Sequence, residues 1–244
     1  MRFDLAGLFK PLKKDYEISG DRAEMRIPHL EGKITFMRPV KGPGNYAGVQ
    51  EAINSAGLIA PTMAQTASLV YTANQNPNEV EFGEVLDILD TRWFWVFVGK
   101  RYVKNKGVYI RDNPAIVNGR LDLENESELQ NKIEAGDKSV RFVPFGFKIG
   151  EQKASDLARN SYLIGLAGKE GAEKLAEISG RYNLKPKVWS LENVDKDEIG
   201  MSSLGGCYCE GSRLGVGSGC FYDQDGCAFG VCRTNDKGTN SLKN

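Results

Sequence analysis

Alternating apolar and polar residues near the start of the chain predict a β-hairpin. Residues 16–19 and 23–27 alternate on either side of a Gly-Asp pair that suits a tight turn. Residues 33–37 have the pattern of a third strand. The breaker cluster Lys-Gly-Pro-Gly at residues 41–44 then predicts a boundary, after which the period changes from two to about 3.6.

Three helices are predicted after this boundary, over residues 46–56, 62–74 and 79–89. Val85, Ile88 and Leu89 give the third helix an apolar stripe. A helix, a glycine turn and a second helix also form DNA-binding units. The second helix, however, has no Arg or Lys to contact phosphate, so the pattern favours a helical hairpin packed on a sheet.

The predicted main domain begins with the densest cluster of aromatic residues in the chain. Residues 93–98 are aromatic or β-branched throughout and predict a buried strand. A hairpin follows over residues 102–110, around Asn-Lys-Gly. Ser127 and Gln130 have the spacing of a capping box and predict a helix that ends at Gly136. Further strands are predicted at residues 140–143 and 187–191.

A glycine-rich stretch at residues 162–171 is predicted as a strand that leads through a glycine loop into the helix 169–182. Such an arrangement can bind phosphate at the N-terminus of the helix. The spacing of Gly165, Gly168 and Gly171 matches neither a dinucleotide-binding fingerprint nor a P-loop. We therefore predict no nucleotide site.

Charge and hydropathy argue against a nucleic-acid-binding protein and against a membrane-spanning protein. Acidic and basic residues balance at 32 each, so no net field favours nucleic acid or an anionic membrane. The start of the chain lacks the apolar core of a signal peptide, and no apolar run is long enough to span a bilayer. We expect a soluble protein made in the cytoplasm, with display on a cell surface or a virion left open. His29 is interpreted as an ordinary surface or turn histidine.

The last stretch, residues 203–233, differs in composition from the rest of the chain. It holds all five cysteines and has no Lys, Asn or Trp. The cysteine spacing lacks the paired C-x2-C of zinc ribbons, and an odd count leaves one thiol unpaired. We predict no metal and no cofactor. A zinc- or thiol-dependent protein, either an enzyme or a partner-binding module, remains the alternative.

The stretch separates into two short predicted strands, at residues 213–216 and 228–231, and two irregular parts, at residues 206–209 and 218–223. The irregular parts use Cys, Tyr, Ser, Gly, Phe and Asp, which are among the residues reached from an asparagine codon when its adenines change. Asn is absent from residues 194–234 and returns at Asn235. Glu210 and Gln224 are not reachable in this way and are interpreted as fixed positions.

This order of elements resembles a known family. Trp189-Ser190, a Gly-rich segment, the R-L-x-V of residues 213–216 and the A-F-G-V-x-R of residues 228–233 are similar to the variable proteins of diversity-generating retroelements, especially archaeal and viral ones. Two upstream segments, at residues 141–147 and 167–175, resemble parts of related archaeal chains.

The resemblance implies an α+β C-type-lectin fold over residues 91–233, with a hypervariable region at about 203–233. Residues 1–90 would form a β and helical extension, and residues 234–244 a flexible tail. Function would be non-enzymatic binding, with no catalytic residues, no nucleic acid and no membrane insertion. The ligand, unidentified and expected to be a protein, would bind a face that a reverse transcriptase diversifies. Its candidate positions are Gly206, Cys207, Tyr208, Cys209, Ser212, Gly217, Ser218, Cys220, Phe221, Tyr222, Asp223 and Cys227.

The lectin fold carries one expectation that the sequence does not meet. Calcium-dependent sugar sites need paired carboxylate and amide oxygens. Here Gln224-Asp225-Gly226 departs from the Gln-Pro-Asp element of that family, and Glu-Pro-Asn and Trp-Asn-Asp are also missing. We predict no calcium-dependent sugar binding.

Overall fold

A computed structural model describes residues 15–206, 213–217 and 224–233. The predicted tail at residues 234–244 lies outside the described residues. The helices within the described residues are α1 (Tyr46–Ser55), α2 (Met63–Gln75), α3 (Val80–Thr91), α4 (Glu126–Glu134), α5 (Ala154–Leu157) and α6 (Ser161–Ser179). The strands are β1 (Glu17–Ser19), β2 (Glu24–His29), β3 (Gly32–Gly44), β4 (Trp93–Val103), β5 (Gly107–Asp112), β6 (Ala115–Val117), β7 (Arg120–Asp122), β8 (Val140–Pro144), β9 (Gly150–Glu151), β10 (Lys187–Val188), β11 (Glu198–Gly206), β12 (Leu214–Val216) and β13 (Gly226–Val231).

One sheet joins the two ends of the described chain. Its strand order is β1-β2-β3-β13-β4-β11-β12-β10-β9, with β5 also paired to β4 and β8 paired to β5. The last strand, β13, runs antiparallel to β3 and parallel to β4. β6 and β7 form a separate two-stranded hairpin. The last strand of the described chain therefore lies inside the sheet, between the third strand and the fourth.

The predicted division near residue 90 does not separate two packing units. Phe36 and Met63 precede it, Phe94 and Leu166 follow it, and all four are buried in the same core cluster. Helix α2 also packs along α6. The described residues from 15 to 90 thus contribute to the same sheet and core as the region that follows.

The N-terminal hairpin prediction is confirmed, with Ile18 paired with Met25 between β1 and β2. The third strand is longer than predicted. The breaker cluster was interpreted as a boundary, but it lies inside β3, where Lys41 pairs with Ala228 and Gly44 with Gly226. Pairing with β13 keeps this stretch extended, so its Gly and Pro residues do not end the strand.

The three predicted helices are confirmed to within two residues at each end. Thr62 caps α2 in a capping box with Gln65, and Asn45 caps α1 by accepting from the backbone N–H of Gly48. Helix α3 buries the predicted stripe together with Phe82. The helical hairpin therefore packs on the sheet, as the pattern favoured.

The capping box of α4 lies two residues earlier than predicted. The side chain of Asn125 accepts a hydrogen bond from the backbone N–H of Glu128, and the Glu128 carboxylate accepts from the N–H of Asn125, both at 3.0 Å. Ser127 therefore lies within the first turn instead of capping it. Both residue types favour the N-cap position, and local spacing alone did not decide between them.

The predicted strand and glycine loop at residues 162–171 are wrong, because α6 is helical on both sides of a kink at Gly168, whose φ is 72°. Tyr162, Leu163 and Leu166 are buried at helical spacing. A Cβ on Gly165 would lie 2.5 Å from a methyl group of Val143. Gly165 thus allows close packing of α6 on β5 and β8.

Within the described residues, no helix has the length and apolar character needed to cross a membrane.

Candidate ligand-binding surface

Two segments of the C-terminal stretch connect strands of the main sheet. We call residues 207–212 and 218–223 the variable segments; both lie outside the described residues. The first connects β11 to β12, which pair with Gly206 opposite Leu214. The second, after Gly217, leads towards β13, which starts at Gly226.

We call the described residues that flank the variable segments their stems. The stem before the first segment and the stem after the second meet at the first residue of β4. Trp93 pairs with Gly205 of β11 and also with Gly226 of β13. The chain therefore enters the first variable segment and returns from the second at the same end of the sheet.

Three glycines at or close to the borders of the segments lie in tight places. A Cβ on Gly206 would lie 2.9 Å from the carbonyl oxygen of Leu89, and one on Gly226 would lie 2.0 Å from Nε1 of Trp95. Gly217 has a φ of +120°, and a Cβ there would lie 2.4 Å from the carbonyl oxygen of Trp189. Side chains at these positions would force neighbouring backbone or core rings to move.

This geometry corrects two predicted positions. Gly206 and Gly217 were predicted to be variable and to contact ligand, yet both are buried and neither has room for a side chain. They belong to the fixed stems of the surface. Gly226 has the same role and was missed; its only sequence signal is a glycine that directly precedes the last predicted strand.

Cys227 is a further correction, because its side chain is only 3% exposed and belongs to the main core cluster. Its sulfur lies 3.3 Å from the position of a Cβ on Gly42, so β3 covers it. Burial also raises the pKa of this thiol. The remaining predicted positions lie outside the described residues and stay predictions: Cys207, Tyr208, Cys209, Ser212, Ser218, Cys220, Phe221, Tyr222 and Asp223.

Hydrogen bonds to backbone atoms hold the stems in place. The N–H of Gly217 donates to the carbonyl of Ser203 at 3.0 Å, and the N–H of Trp189 donates to the carbonyl of Val216 at 2.8 Å. The indole of Trp95 donates to the carbonyl of Gly44 at 2.8 Å, beside Gly226. These contacts come from the sheet and do not depend on the side chains of the segments.

Charged and aromatic side chains lie close to the stems. Arg213, which precedes β12, pairs with Glu151, and this hydrogen bond holds the pKa of the Glu151 carboxyl below its usual range. Tyr182, next to Gly206, donates to Asp90 at 2.9 Å. The Lys187 ammonium lies 3.6 Å from the centre of the Trp189 ring, within the range of a cation–π interaction.

The only histidine lies away from these stems. His29 is half-buried at the end of β2, with Nδ1 2.9 Å from Oγ of Ser68. The Lys174 ammonium donates to the same hydroxyl at 2.9 Å. Burial, and then the charge of Lys174, lowers the pKa of His29. Ser68 is itself buried, so the cluster joins β2 to α2 and α6, and His29 is less exposed than the sequence interpretation held.

Groups of metal-ligating side chains are absent from the part of the chain that the structure describes. Its two cysteines, Cys227 and Cys232, are both free thiols. Burial raises the pKa of each, which favours the protonated, less reactive form.

No protein-family model and no curated protein matches the chain. A solved structure described as accommodation of massive sequence variation in Nanoarchaeota by the C-type lectin fold is similar, with a TM-score of 0.52 and 14% sequence identity. The match covers 80% of this chain and 98% of that chain. The chain therefore has an α+β C-type lectin fold, as the resemblance implied.

Proposed function

We propose that this C-type lectin fold is a non-enzymatic binding protein whose ligand surface is formed by the two variable segments, residues 207–212 and 218–223. The observation that carries the proposal is the set of glycine stems. Gly206 and Gly226 lie at the end of the sheet where β4 begins, Gly217 lies at the far end of β12, and none of the three has room for a side chain. A fixed frame of this kind supports segments whose sequence changes.

The contacts that hold the stems in the fold do not involve the side chains that would bind ligand. The contacts that hold them use backbone atoms and core side chains, such as the indole of Trp95. Changes of side chain within the segments leave these contacts in place, as in other loops carried on rigid scaffolds. The frame therefore tolerates many sequences in the segments.

The composition of the segments favours a protein as ligand. Tyr208, Phe221 and Tyr222 offer large and stiff contact surfaces, and the Ser and Gly residues beside them adapt their hydrogen bonding, as in antibody loops. The balanced charge of the chain gives no support to nucleic acid as the ligand.

Adenine-directed mutagenesis by a retroelement accounts for this composition. Cys, Tyr, Ser, Gly, Phe and Asp are among the residues reached from an asparagine codon by changes at its adenines, and Asn is absent from residues 194–234. The similar solved structure is described in terms of massive sequence variation. Both observations support a diversified surface.

Sequencing of many copies of the gene from one population tests the diversification. Substitutions should concentrate at residues 207–212, with Glu210 constant, and at residues 218–223, and they should spare Gly206, Gly217, Gly226 and Cys227. A second copy of the coding sequence, with adenines at the differing positions, should lie near a reverse transcriptase gene. Uniform segments, with changes scattered over the frame, would refute this part of the proposal.

A display library tests binding. Positions 208, 218, 221 and 222 are randomised in one library, and positions 127, 131, 134 and 135 on the exposed face and end of α4 in a matched control. Selection against lysozyme should yield specific binders from the first library and none from the second. Binders from the control alone, or loss of folded display in the first library, would contradict the assignment of the surface.

A further inference from the structure

Lys100 is a buried lysine at the centre of β4. Its side chain has no exposed surface and is among the largest that are fully buried. Lysine is almost never fully buried without a partner, because water strongly solvates its ammonium group. Lys100 nevertheless forms no ion pair with any residue that the structure describes.

The Lys100 ammonium has two partners, a backbone carbonyl and the Tyr102 side chain. Its Nζ donates a hydrogen bond to the carbonyl oxygen of Gly217 at 2.5 Å. The same ammonium lies 5.9 Å from the centre of the Tyr102 ring, and the Tyr102 hydroxyl lies 3.0 Å from Oγ of Ser190. Burial lowers the pKa of Lys100.

The Lys100 side chain can extend past β11 because its neighbour on that strand is a glycine. Lys100 pairs with Gly200 of β11, and a Cβ on Gly200 would lie 3.6 Å from Cε of Lys100. A larger side chain at residue 200 would occupy this space. The lysine therefore extends from β4 past β11 to the end of β12, which is the next strand in the sheet.

We propose that Lys100 is a positioning residue for the second variable segment. Its ammonium fixes the backbone at Gly217, the residue from which the segment leaves the sheet. This inference rests on the proposed function, in which residues 218–223 contact ligand. Because the bond is made to a carbonyl oxygen, the anchor holds whatever side chains the segment carries.

Gly217 is thus fixed from three directions. Its carbonyl accepts from Lys100, its N–H donates to Ser203, and its Cα packs against the carbonyl of Trp189. Gly217 is buried, and a buried carbonyl needs a hydrogen-bond partner. A long side chain with a donor at its tip supplies that partner from two strands away, whereas an apolar side chain of similar length would only fill the space.

Limited proteolysis of the full chain tests this role. In Lys100→Met, chymotrypsin cleavage after Phe221 or Tyr222 should rise by about tenfold relative to cleavage after Tyr208, because the stem of the second segment alone loses its anchor. The melting temperature should change little, because removal of a buried ammonium offsets the loss of the hydrogen bond to the Gly217 carbonyl, and methionine fills the same core space. Lys104→Met, at an exposed turn, is the matched control and should change neither cleavage. An unchanged ratio between the two segments would overturn the proposal.

A measurement on the unmodified protein covers the case in which Lys100→Met does not fold. In nitrogen-15 NMR spectra, the Lys100 side-chain N–H signal should exchange slowly with water and correlate with the carbonyl carbon of Gly217 across the hydrogen bond. Exchange as fast as that of exposed lysines would overturn the proposal. Neither test uses a ligand or sequence variation, so their failure is distinct from a failure of the proposed function.

Discussion

The indole of Trp95 occupies the space that a side chain at Gly226 would need, since a Cβ at residue 226 would lie 2.0 Å from Nε1. The same nitrogen donates to the carbonyl of Gly44 at 2.8 Å, so the ring cannot turn away without losing this bond. One side chain of β4 therefore fixes the end of β3 and the start of β13, where the second variable segment returns to the sheet.

Gly226→Ala should destabilise the protein by about 3 kcal/mol, because the added methyl group overlaps a buried ring that has no room to move. Urea denaturation measures the change. Gly83→Ala is the control: this glycine lies in α3 with nothing within 4 Å of its missing Cβ. The control should stabilise the helix by up to about 1 kcal/mol. Equal effects of the two substitutions would contradict the packing described.

Substitutions in the variable segments should cost less free energy of unfolding than substitutions in their stems. The double variant Cys220→Ser, Tyr222→Ser should change the free energy of unfolding by no more than about 0.5 kcal/mol, as expected for surface positions. Gly217→Ala should cost about 2 kcal/mol or more, since its φ of +120° disfavours a side chain. A large cost for the double variant would show that these side chains belong to the core.

Glu81 should make the protein sensitive to acid. This buried carboxylate accepts hydrogen bonds from Arg22, which hold its pKa below the usual range, and Arg38 lies 3.6 Å away. A depressed folded-state pKa contributes stability above the pKa of the unfolded residue, about 4.3, and loses it as pH falls through the folded value.

Glu81→Gln should therefore be less stable than the unmodified chain by about 1–2 kcal/mol at neutral pH, and the difference should shrink below about pH 4. Denaturation at a series of pH values measures it. Glu51→Gln, at an exposed position of α1, serves as control and should show no such convergence. A difference that stays constant in acid would argue against the ion pair.

His29 should give a second, separate pH dependence. Its pKa is lowered by burial and by Lys174, while Glu170 on the same helix opposes the shift. A histidine with a depressed folded-state pKa contributes stability that is complete above the unfolded pKa of about 6.5 and declines as pH falls through the window below it. His29→Asn should abolish this decline. Because the chain has one histidine, persistence of the decline in the variant would refute the assignment.

Cys227 should resist modification in the folded protein. Its side chain is 3% exposed and its thiol pKa is raised by burial, whereas Cys232 is only half-buried. Iodoacetamide should modify Cys227 at least about tenfold more slowly than Cys232, as peptide mass mapping would measure. Guanidinium chloride should remove the difference. Equal rates in the native protein would place Cys227 at the surface after all.

Local pattern was sufficient for elements whose side chains follow a single period. The hairpin of β1 and β2, the helices α1 to α3 and the short strands β12 and β13 were predicted close to their observed bounds. Prediction from local pattern failed where the same stretch of sequence suits two different local structures. Asn125 and Ser127 are both good N-caps, and the apolar, glycine-rich start of α6 suits a strand as well as a helix.

The candidate surface was only partly predictable, because the burial of its flanking residues depends on contacts between distant parts of the chain. Composition drew attention to residues 203–233, but it placed Gly206, Gly217 and Cys227 among the variable positions. Their burial depends on Leu89, Trp189 and Gly42, which are distant in sequence. No signal in the sequence identified Lys100, because a lysine within a strand is ordinarily exposed.

The sequence by itself determined the local elements, the unusual composition of the last stretch and the resemblance to a family of variable proteins. Only the tertiary structure decided that β13 lies between β3 and β4, that glycines without room for side chains border the variable segments, and that Lys100 contacts Gly217. The physical reason is that local periods record which side of an element is apolar. Strand order and close packing arise from contacts between residues that are far apart in the chain.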